Sequence, residues 1–384
     1  MKNTFDFAIV GAGVFGAWTA HFLRQNGASV ILLDAHGPAN SRASSGGETR
    51  VIRMGYGPDE LYTRWAMRSL AVWREFAARI GIEIFRQSGV LWLSNDADDY
   101  LKSMSNVLLH AGVEQEKLET EEIERRWPQL RFHDVTYGIL EPSSGVLLAR
   151  TAVQALVKEL TISGVTLKHT EVVPPLDGGR LKEIKIGNGD SISAAAFIFC
   201  CGPWLPKVFP DLLRDRIFPS RQEVFFLGTP AGNADFRMPK MPVWLHRTHD
   251  DLPYALPDVD GRGFKIAFDR HGESFDPDTG MRVVEQTSID RLRTYLRRYI
   301  PTLQNAPVIE TRVCQYENTW NGDFLIDRHP EFENVWIAGG GSGHGFKHGP
   351  ALGGYLSSRI LNDAPAEPRF SLSAKQSIQK RAIY

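Results

Sequence analysis

MKNTFDFAIVGAGVFGAWTAHFLRQNGASVILLD, residues 1–34, holds a complete supersecondary unit. Residues 7–10 are an apolar run short enough for one buried strand. Gly11, Gly13 and Gly16 follow in G-x-G-x-x-G spacing, with Val14 and Phe15 between the second and third glycines. An amphipathic stretch, apolar at Ala17, Ala20, Phe22 and Leu23, stops near Asn26-Gly27. A second apolar run, residues 30–33, ends on Asp34. Strand, tight turn, helix, strand and acid in this order predict a dinucleotide site. Gly11 permits the sharp turn, Gly13 lets the backbone approach a pyrophosphate that a Cβ would strike, and Gly16 lets helix pack on strand. Unpaired amides and the positive end of the dipole at the helix N-terminus hold the phosphates. Asp34 is placed to accept hydrogen bonds from a ribose diol. The alternative is a plain βαβ unit, and the unit alone does not separate NAD from FAD.

The 384 residues suit two domains or one large α/β body with an insertion. A hydrophobic content of 42% and a charged content of 23% are ordinary for a soluble globular chain. A net charge of -1 gives no global basic field for nucleic acid or acidic lipid. The three cysteines are Cys200, Cys201 and Cys314; the first two are neighbours, which argues against a disulfide scaffold. The chain enters its first strand without a charged leader or long apolar region. No apolar run reaches the roughly 20 residues that span a bilayer. A soluble, reduced, cytoplasmic protein is expected.

Residues 35–57, AHGPANSRASSGGETRVIRMGYG, are rich in Gly, Ser and Ala. Small residues such as Ser44, with Thr49 further on, let the chain run close to a ligand while Arg42, Arg50 and Arg53 face its anionic parts. The bland alternative is a solvated basic loop. Residues 58–80 predict one helix, with Asp59 and Glu60 in its first turn and Trp65 and Trp73 as packing residues. Strands follow over residues 83–94, two helical segments over 96–129, and strand, turn and helix over 138–156. Residues 165–176, which include Val172, and 194–201 read as strands, the second ending at Gly202-Pro203-Trp204. That ending suggests a second edge facing the dinucleotide, bordered by Gly202 and Trp204. Cys200 and Cys201, inside the run, read as buried small hydrophobes. Residues 217–271 are strand-rich, as an antiparallel substrate domain requires, and residues 289–300 predict a helix with a basic face.

The second informative stretch is C-terminal. Residues 334–338 predict a short buried strand ending on Gly339-Gly340-Gly341-Ser342-Gly343-His344-Gly345, with Phe346 and Lys347 next and a helix from about Pro350. This unit is expected to return to the first sheet and aim amides at a second polar part of the cofactor, such as a flavin ring carbonyl. Two glycine-rich turns, the later one with embedded His344 and Lys347, favour FAD over NAD. No metal is expected: His344 and His348 lie in a glycine-rich turn with no glutamate after His344, and His246 and His249 lack ligand partners nearby in sequence.

At SSGGETRVIR (44–53), PYALPDVDGRGFK (253–265), VCQY (313–316), GDFLIDRHP (322–330) and SGHGFK (342–347) the chain resembles the monomeric sarcosine oxidase and N-methyltryptophan oxidase family. These are amine-oxidising flavoproteins of the D-amino-acid-oxidase superfamily, and the similarity runs along nearly the whole chain. The resemblance implies FAD attached through a thioether of Cys314 to the 8α carbon of the flavin; a thiolate is suited to attack that electrophilic carbon. It implies that Arg50 and His344 border the flavin, in a cofactor set that includes Gly341, Gly343, Gly345 and Phe346. It makes Arg53 and Lys347 a clamp for the substrate carboxylate. Lys265 matches a lysine on the flavin face away from substrate, where its charge favours electron transfer to dioxygen. Tyr254 and Tyr316 match pocket aromatics.

Two positions depart from the family. Gly46 stands where members often carry a histidine near the flavin, and Asp269 where sarcosine oxidases place a pocket histidine. Both are expected on the active-site side and bear on the substrate rather than the flavin; an added acid favours a more basic or more polar substrate. The expected fold is mixed α/β (α+β): a Rossmann-like FAD-binding domain of glutathione-reductase type, residues 1–85, 145–215 and 310–384, and an antiparallel-sheet substrate domain, residues 86–144 and 216–309. The implied activity is oxidation of a secondary α-amino acid to an imine, with dioxygen reduced to hydrogen peroxide, by a monomer. The rivals are a flavin dehydrogenase passing electrons to a quinone or carrier protein, and a non-catalytic FAD-binding module.

Overall fold

The computed structural model describes residues 4–95, 99–176, 178–248, 251–269 and 272–378. His249, residues 1–3 of the opening stretch and residues 96–98 of the first expected helical segment lie outside them. Thr4–Val10 is a strand buried on both faces from Phe7 onward, which explains why it reads as a continuous apolar run rather than an alternating one. It lies at the centre of a parallel sheet, between Val30–Asp34 on one side and Ser191–Phe199 on the other. Val335–Gly339 adds in parallel beside Ser191–Phe199, and Thr166–His169 beside Val30–Asp34. Leu325–Arg328 closes one edge antiparallel. The C-terminal glycine-rich unit therefore returns to the first sheet, two strands from the N-terminal one. Helix Val14–Gln25 packs on helix Gly349–Asn362, where a Cβ on Gly353 would stand 2.6 Å from the Trp18 backbone.

A second sheet runs Val308–Asn318, Phe218–Leu227, Phe264–Phe268, Pro253–Leu256, Val243–His246, Val90–Ser94, Tyr137–Glu141, Glu116–Glu119. All its pairs are antiparallel except Val243–His246 with Val90–Ser94. A three-stranded sheet, Thr49–Ile52, Gly145–Leu148 and Phe85–Gln87, carries the arginine-rich segment. The mixed α/β class expected from the sequence is the one observed. Helix Glu60–Ile80 ends at Gly81, whose φ of 65° is a left-handed cap. Its Trp73 is fully buried, whereas Trp65 is half-buried. Trp73 stacks on Phe346, with ring centroids 5.8 Å apart and planes 6° from parallel, and its indole N–H donates to the Lys347 carbonyl at 3.1 Å. A packing residue thus pins the second glycine-rich turn. Among the described residues no helix is long and apolar enough to cross a membrane.

Two elements differ from expectation. The strand expected over residues 194–201 runs Ser191–Phe199, so Cys200 and Cys201 stand in the turn after it. Gly202, at φ 53°, swings the chain into the short helix Gly202–Trp204 and ends the ladder. The strand expected over residues 165–176 is confined to Thr166–His169, and its last ladder bond runs from the Thr170 amide to the Asp34 carbonyl, where the neighbouring strand itself ends. Val172 pairs separately with Ile186.

Gly11, just past the first strand, lies close against the chain that follows strand Ser191–Phe199. It has φ 105°, and a Cβ there would sit 2.3 Å from the Cys200 carbonyl oxygen. Gly27 has φ 85° with nothing within 4 Å of its Cβ position. Gly11→Ala is therefore expected to lose roughly 3 kcal/mol or more, from backbone strain and overpacking together. Gly27→Ala should lose only about 1–2 kcal/mol. Denaturant unfolding of the two variants checks this; equal losses would refute the role given to the contact.

Candidate active site

A cavity of about 550 Å³ lies between the carboxyl edge of the parallel sheet and one face of the second sheet. Of the residues singled out from the sequence as cofactor or substrate contacts, all line it except Gly16 and Arg42. Gly16 serves packing instead, since a Cβ would stand 1.9 Å from the Gly11 carbonyl oxygen. Arg42 is exposed, and it is its carbonyl that is engaged, accepting from Gln315 Nε2 at 2.7 Å. Gly46 is also away from the wall: a Cβ would lie 1.8 Å from the Asn40 carbonyl oxygen, so its backbone is closed to any side chain. Asp269 does line the cavity, at alternate spacing with Ala267 and Lys265 as the period of a strand dictates.

At the nucleotide end the Asp34 carboxylate accepts from the Ala12 amide at 2.7 Å through Oδ2 and from the His36 amide at 2.8 Å through Oδ1. These bonds fix its orientation while each oxygen keeps a lone pair for a diol. The helix start is less open than the motif suggests, because Ser45 Oγ accepts from the Val14 amide at 3.1 Å.

At the other end Arg50 donates to the carbonyls of Thr49 at 2.8 Å and Ser44 at 2.6 Å, and lies 3.7 Å from Cys314 Sγ. Lys265 Nζ donates to the Thr49 carbonyl at 2.9 Å and to its hydroxyl at 3.2 Å. Burial, then the Arg50 guanidinium, push the Lys265 ammonium down to about 7. Strand Thr49–Ile52 thus seats Arg50 and Lys265 about one peptide, with Cys314 beside them.

A second cationic group forms around Tyr56. Arg53 Cζ lies 4.3 Å from the Tyr56 ring centroid and 4.6 Å from that of Trp92. Lys347 Nζ donates to the Tyr56 hydroxyl at 2.8 Å and to the His344 carbonyl at 3.1 Å. The same hydroxyl meets His348 Nε2 at 2.7 Å and His344 Nδ1 at 3.3 Å. Burial and the Arg53 charge hold the Lys347 ammonium well below its ordinary value. Burial and the Lys347 charge do the same to the His348 imidazole. The loop carrying Arg53 rests on Glu141, a fully buried carboxylate. Glu141 accepts from the amides of Met54 (2.6 Å) and Gly55 (3.0 Å), from Trp92 Nε1 (2.9 Å) and from Ser144 Oγ (2.7 Å). Tyr254 and Tyr316 are half-buried walls of the same space. Burial and the Asp269 charge push the Tyr254 phenol up to about 12.

Sequence reading missed Tyr56, Glu141, His348 as a Tyr56 partner, and Glu317. Glu141 did leave a signal: it is the one acid in the apolar strand YGILE. Tyr56 and Glu317 left none beyond adjacency to residues already chosen.

The cavity fits a flavin dinucleotide. Both glycine-rich turns border it, at positions that side chains would fill: a Cβ on Gly343 would stand 2.6 Å from the Tyr316 ring, and one on Gly345 2.8 Å from that of Phe15. The DAO family model, described as FAD dependent oxidoreductase, matches residues 6–359. Monomeric sarcosine oxidase of Bacillus sp. (strain B-0618) is 31% identical over 100% of both chains. N-methyl-L-tryptophan oxidase of Yersinia pestis is 25% identical over 94% of this chain and 96% of its own. The solved structure of L-proline dehydrogenase from P. horikoshii superposes with a TM-score of 0.84 at 20% identity, covering 97% of this chain and 98% of that one, which bears on fold alone. The chain belongs to the FAD dependent oxidoreductase family. It is an FAD-dependent oxidoreductase, similar to sarcosine oxidases as its sequence motifs indicate.

Removing Glu141 strands four buried donors and frees the Arg53 loop. Glu141→Ala is expected to lose roughly 3–5 kcal/mol, the range for breaking a buried charged network. Thermal unfolding measures it, and a loss below about 1 kcal/mol would show that the loop stands without the carboxylate.

Proposed function

We propose that this protein oxidises a secondary, N-methyl or N-alkyl, α-amino acid at its CH–NH bond to an imine, with dioxygen reduced to hydrogen peroxide. The observation that carries the reading is the pair of buried cations on Tyr56, Arg53 and Lys347, in the cavity that Lys265 also lines. Lys347 is buried beside a guanidinium without full compensation, so an arriving carboxylate restores what burial removed. Arg53 supplies a planar fork and Lys347 a point charge for it. The flavin, when bound, supplies the two-electron chemistry. Tyr254 and Tyr316 wall the alkyl group, and Asp269 puts one negative charge on the same wall. Names of the relatives support a sarcosine-like or N-methyl amino-acid substrate. Asp269 favours one with a basic or polar side chain.

Cys314, beside Arg50, is proposed as the covalent attachment point, and Arg50 and His344 as flavin neighbours. Residues 1–85, 145–215 and 310–384, which include the strands of the parallel sheet, are inferred as the cofactor domain, and residues 86–144 and 216–309 as the substrate domain. Strand Val308–Asn318, which crosses the boundary in sequence, pairs with Phe218–Leu227 in the second sheet. A monomer in the cytoplasm is the reading of choice. Lys265 favours an oxidase over a dehydrogenase that reduces a carrier, since a buried ammonium stabilises charge developing on oxygen. The grouping of Arg53, Lys347 and Lys265 speaks against a module that only senses FAD.

Acid-precipitated protein is expected to keep its yellow colour in the pellet, and Cys314→Ala to lose it to the supernatant. A panel of N-alkyl amino acids should release peroxide, with a preference for basic side chains that Asp269→Asn abolishes. A flavin that no member of the panel bleaches would end the reading.

Lys265→Met should slow reoxidation by dioxygen by roughly 10²–10³, the loss typical of one electrostatic donor. It should also change stability with pH in a defined direction. The folded-state value near 7 lies below the ordinary 10.5, so the fold disfavours the cation. That penalty is complete below pH 7 and fades as pH rises toward 10.5. The variant's stability advantage, about a few kcal/mol at pH 6, should shrink between pH 7 and pH 10. A constant difference across that window would contradict the placement of the ammonium.

A further inference from the structure

Glu317 follows Tyr316 on strand Val308–Asn318, borders the main cavity and is 7% exposed. Its surroundings are backbone. A Cβ on Gly341 would lie 3.0 Å from Oε1; on Gly339 and Gly202 it would lie 3.2 Å and 3.8 Å from Oε2. Gly202 follows strand Ser191–Phe199, and residues 339–341 end strand Val335–Gly339. Three glycines at the ends of two parallel strands therefore leave room for one carboxyl group. It sits at the sheet edge between the two glycine-rich turns, where the middle of a dinucleotide must cross.

The electrostatics of this place are one-sided. The side chain faces the Gly340 and Gly341 amides, and its Oε2 has no hydrogen-bond partner among the described residues. Among the described residues its charge acts on the Cys200 and Cys201 thiols, with Asp34 acting on Cys201 in turn. No cation among the described residues pairs with it. Burial pushes the Glu317 carboxyl up to about 7 against the pull of the two amides. A neutral carboxyl presents one C=O acceptor and one O–H donor. The amides are donors and take the C=O. The O–H is left without an acceptor among the described residues, and such a buried donor is costly. The terminal carboxyl torsion is broad and twofold, so the two oxygens can exchange places without disturbing the strand.

We propose that Glu317 is a cofactor-binding residue whose protonated carboxyl donates a hydrogen bond to a phosphate or hydroxyl oxygen in the central, phosphate–polyol portion of FAD. It rests on the family's FAD and not on the substrate or oxidant proposed above. Binding FAD then fixes one proton on Glu317, so affinity falls as pH rises past the unliganded value. Two phosphates beside a carboxylate, with Asp34 at the same edge, would otherwise repel.

The test uses the full chain carrying Cys314→Ala, in which FAD exchanges whether or not the natural link is covalent. FAD titration of the stripped protein by flavin fluorescence is run at pH 6 and pH 8. One linked proton with an unliganded value near 7 weakens binding about tenfold over that interval. Lys265 titrates in the same range, so the reading is the difference from a second protein that also carries Glu317→Gln. The amide keeps a donor at every pH, and the tenfold fall should vanish from it. Calorimetry at pH 8 in buffers of differing ionisation enthalpy should find close to one proton taken up per FAD in the Glu protein. Repeated in protein that also carries Lys265→Met, that measurement needs no variant at Glu317, and an uptake that disappears there overturns the assignment even if Glu317→Gln fails to fold. An equal pH dependence in the Glu and Gln proteins, or no proton uptake beyond that of the Gln protein, would overturn the assignment. Absence of FAD binding at both pH values would overturn it together with the cavity as a flavin site.

Discussion

The Cys200 amide donates to the Val10 carbonyl at 2.7 Å, one residue before Gly11 turns the chain away. That contact joins the N-terminal strand to one that begins almost two hundred residues later, and the site depends on it. Gly11 turns because a side chain there would strike the Cys200 carbonyl. Gly16 lets the following helix lie back on the turn. Val335–Gly339 then adds beside Ser191–Phe199 and delivers the second glycine-rich turn to the same edge. Segments distant in sequence meet because the parallel strands all end at one side, which is where ligands bind in open α/β sheets.

Above that edge the charge balance is unusual for an interior. Arg53, Lys265 and Lys347 are each 4–5% exposed. Hydrogen bonds to carbonyls and a phenol hold them, but these neutral groups do not cancel charge. Burial lowers the ammonium of Lys265 to about 7 and holds that of Lys347 well below its ordinary value. Such groups are held in a state that an anionic ligand relieves, which is why perturbed values gather at functional sites. Glu141 is the counterpart: four donors saturate it, so it acts as scaffold rather than as a counter-charge left waiting for a ligand.

The N-terminal unit was legible because each step in it has a local cause: apolar run, glycine spacing, amphipathic run, acid. The clamp residues were legible only through resemblance; in isolation Lys265 is one lysine in the short strand FKIAF. Other parts were hidden for physical reasons. The end of strand Ser191–Phe199 is set by Gly202 and by pairing with distant strands, not by composition. Gly46 was expected on the active-site side, but its backbone lies against Asn40, a contact that spacing does not reveal. Arg42 sits in the right loop with its side chain facing out, and a one-residue change of direction is invisible without the fold. Tyr56 gathers Lys347, His344 and His348, all about 290 residues away, at its hydroxyl.

Trp73 gives the second glycine-rich turn its stiffness. Its ring lies flat on Phe346 and its N–H holds the Lys347 carbonyl. The backbone that bears the ammonium is therefore anchored from helix Glu60–Ile80, by a side chain that does not itself line the cavity. Most of the entropy of ordering that turn is spent during folding. A substrate then needs to settle only side-chain torsions, so its affinity is governed by charge and shape rather than by the work of assembling a binding loop.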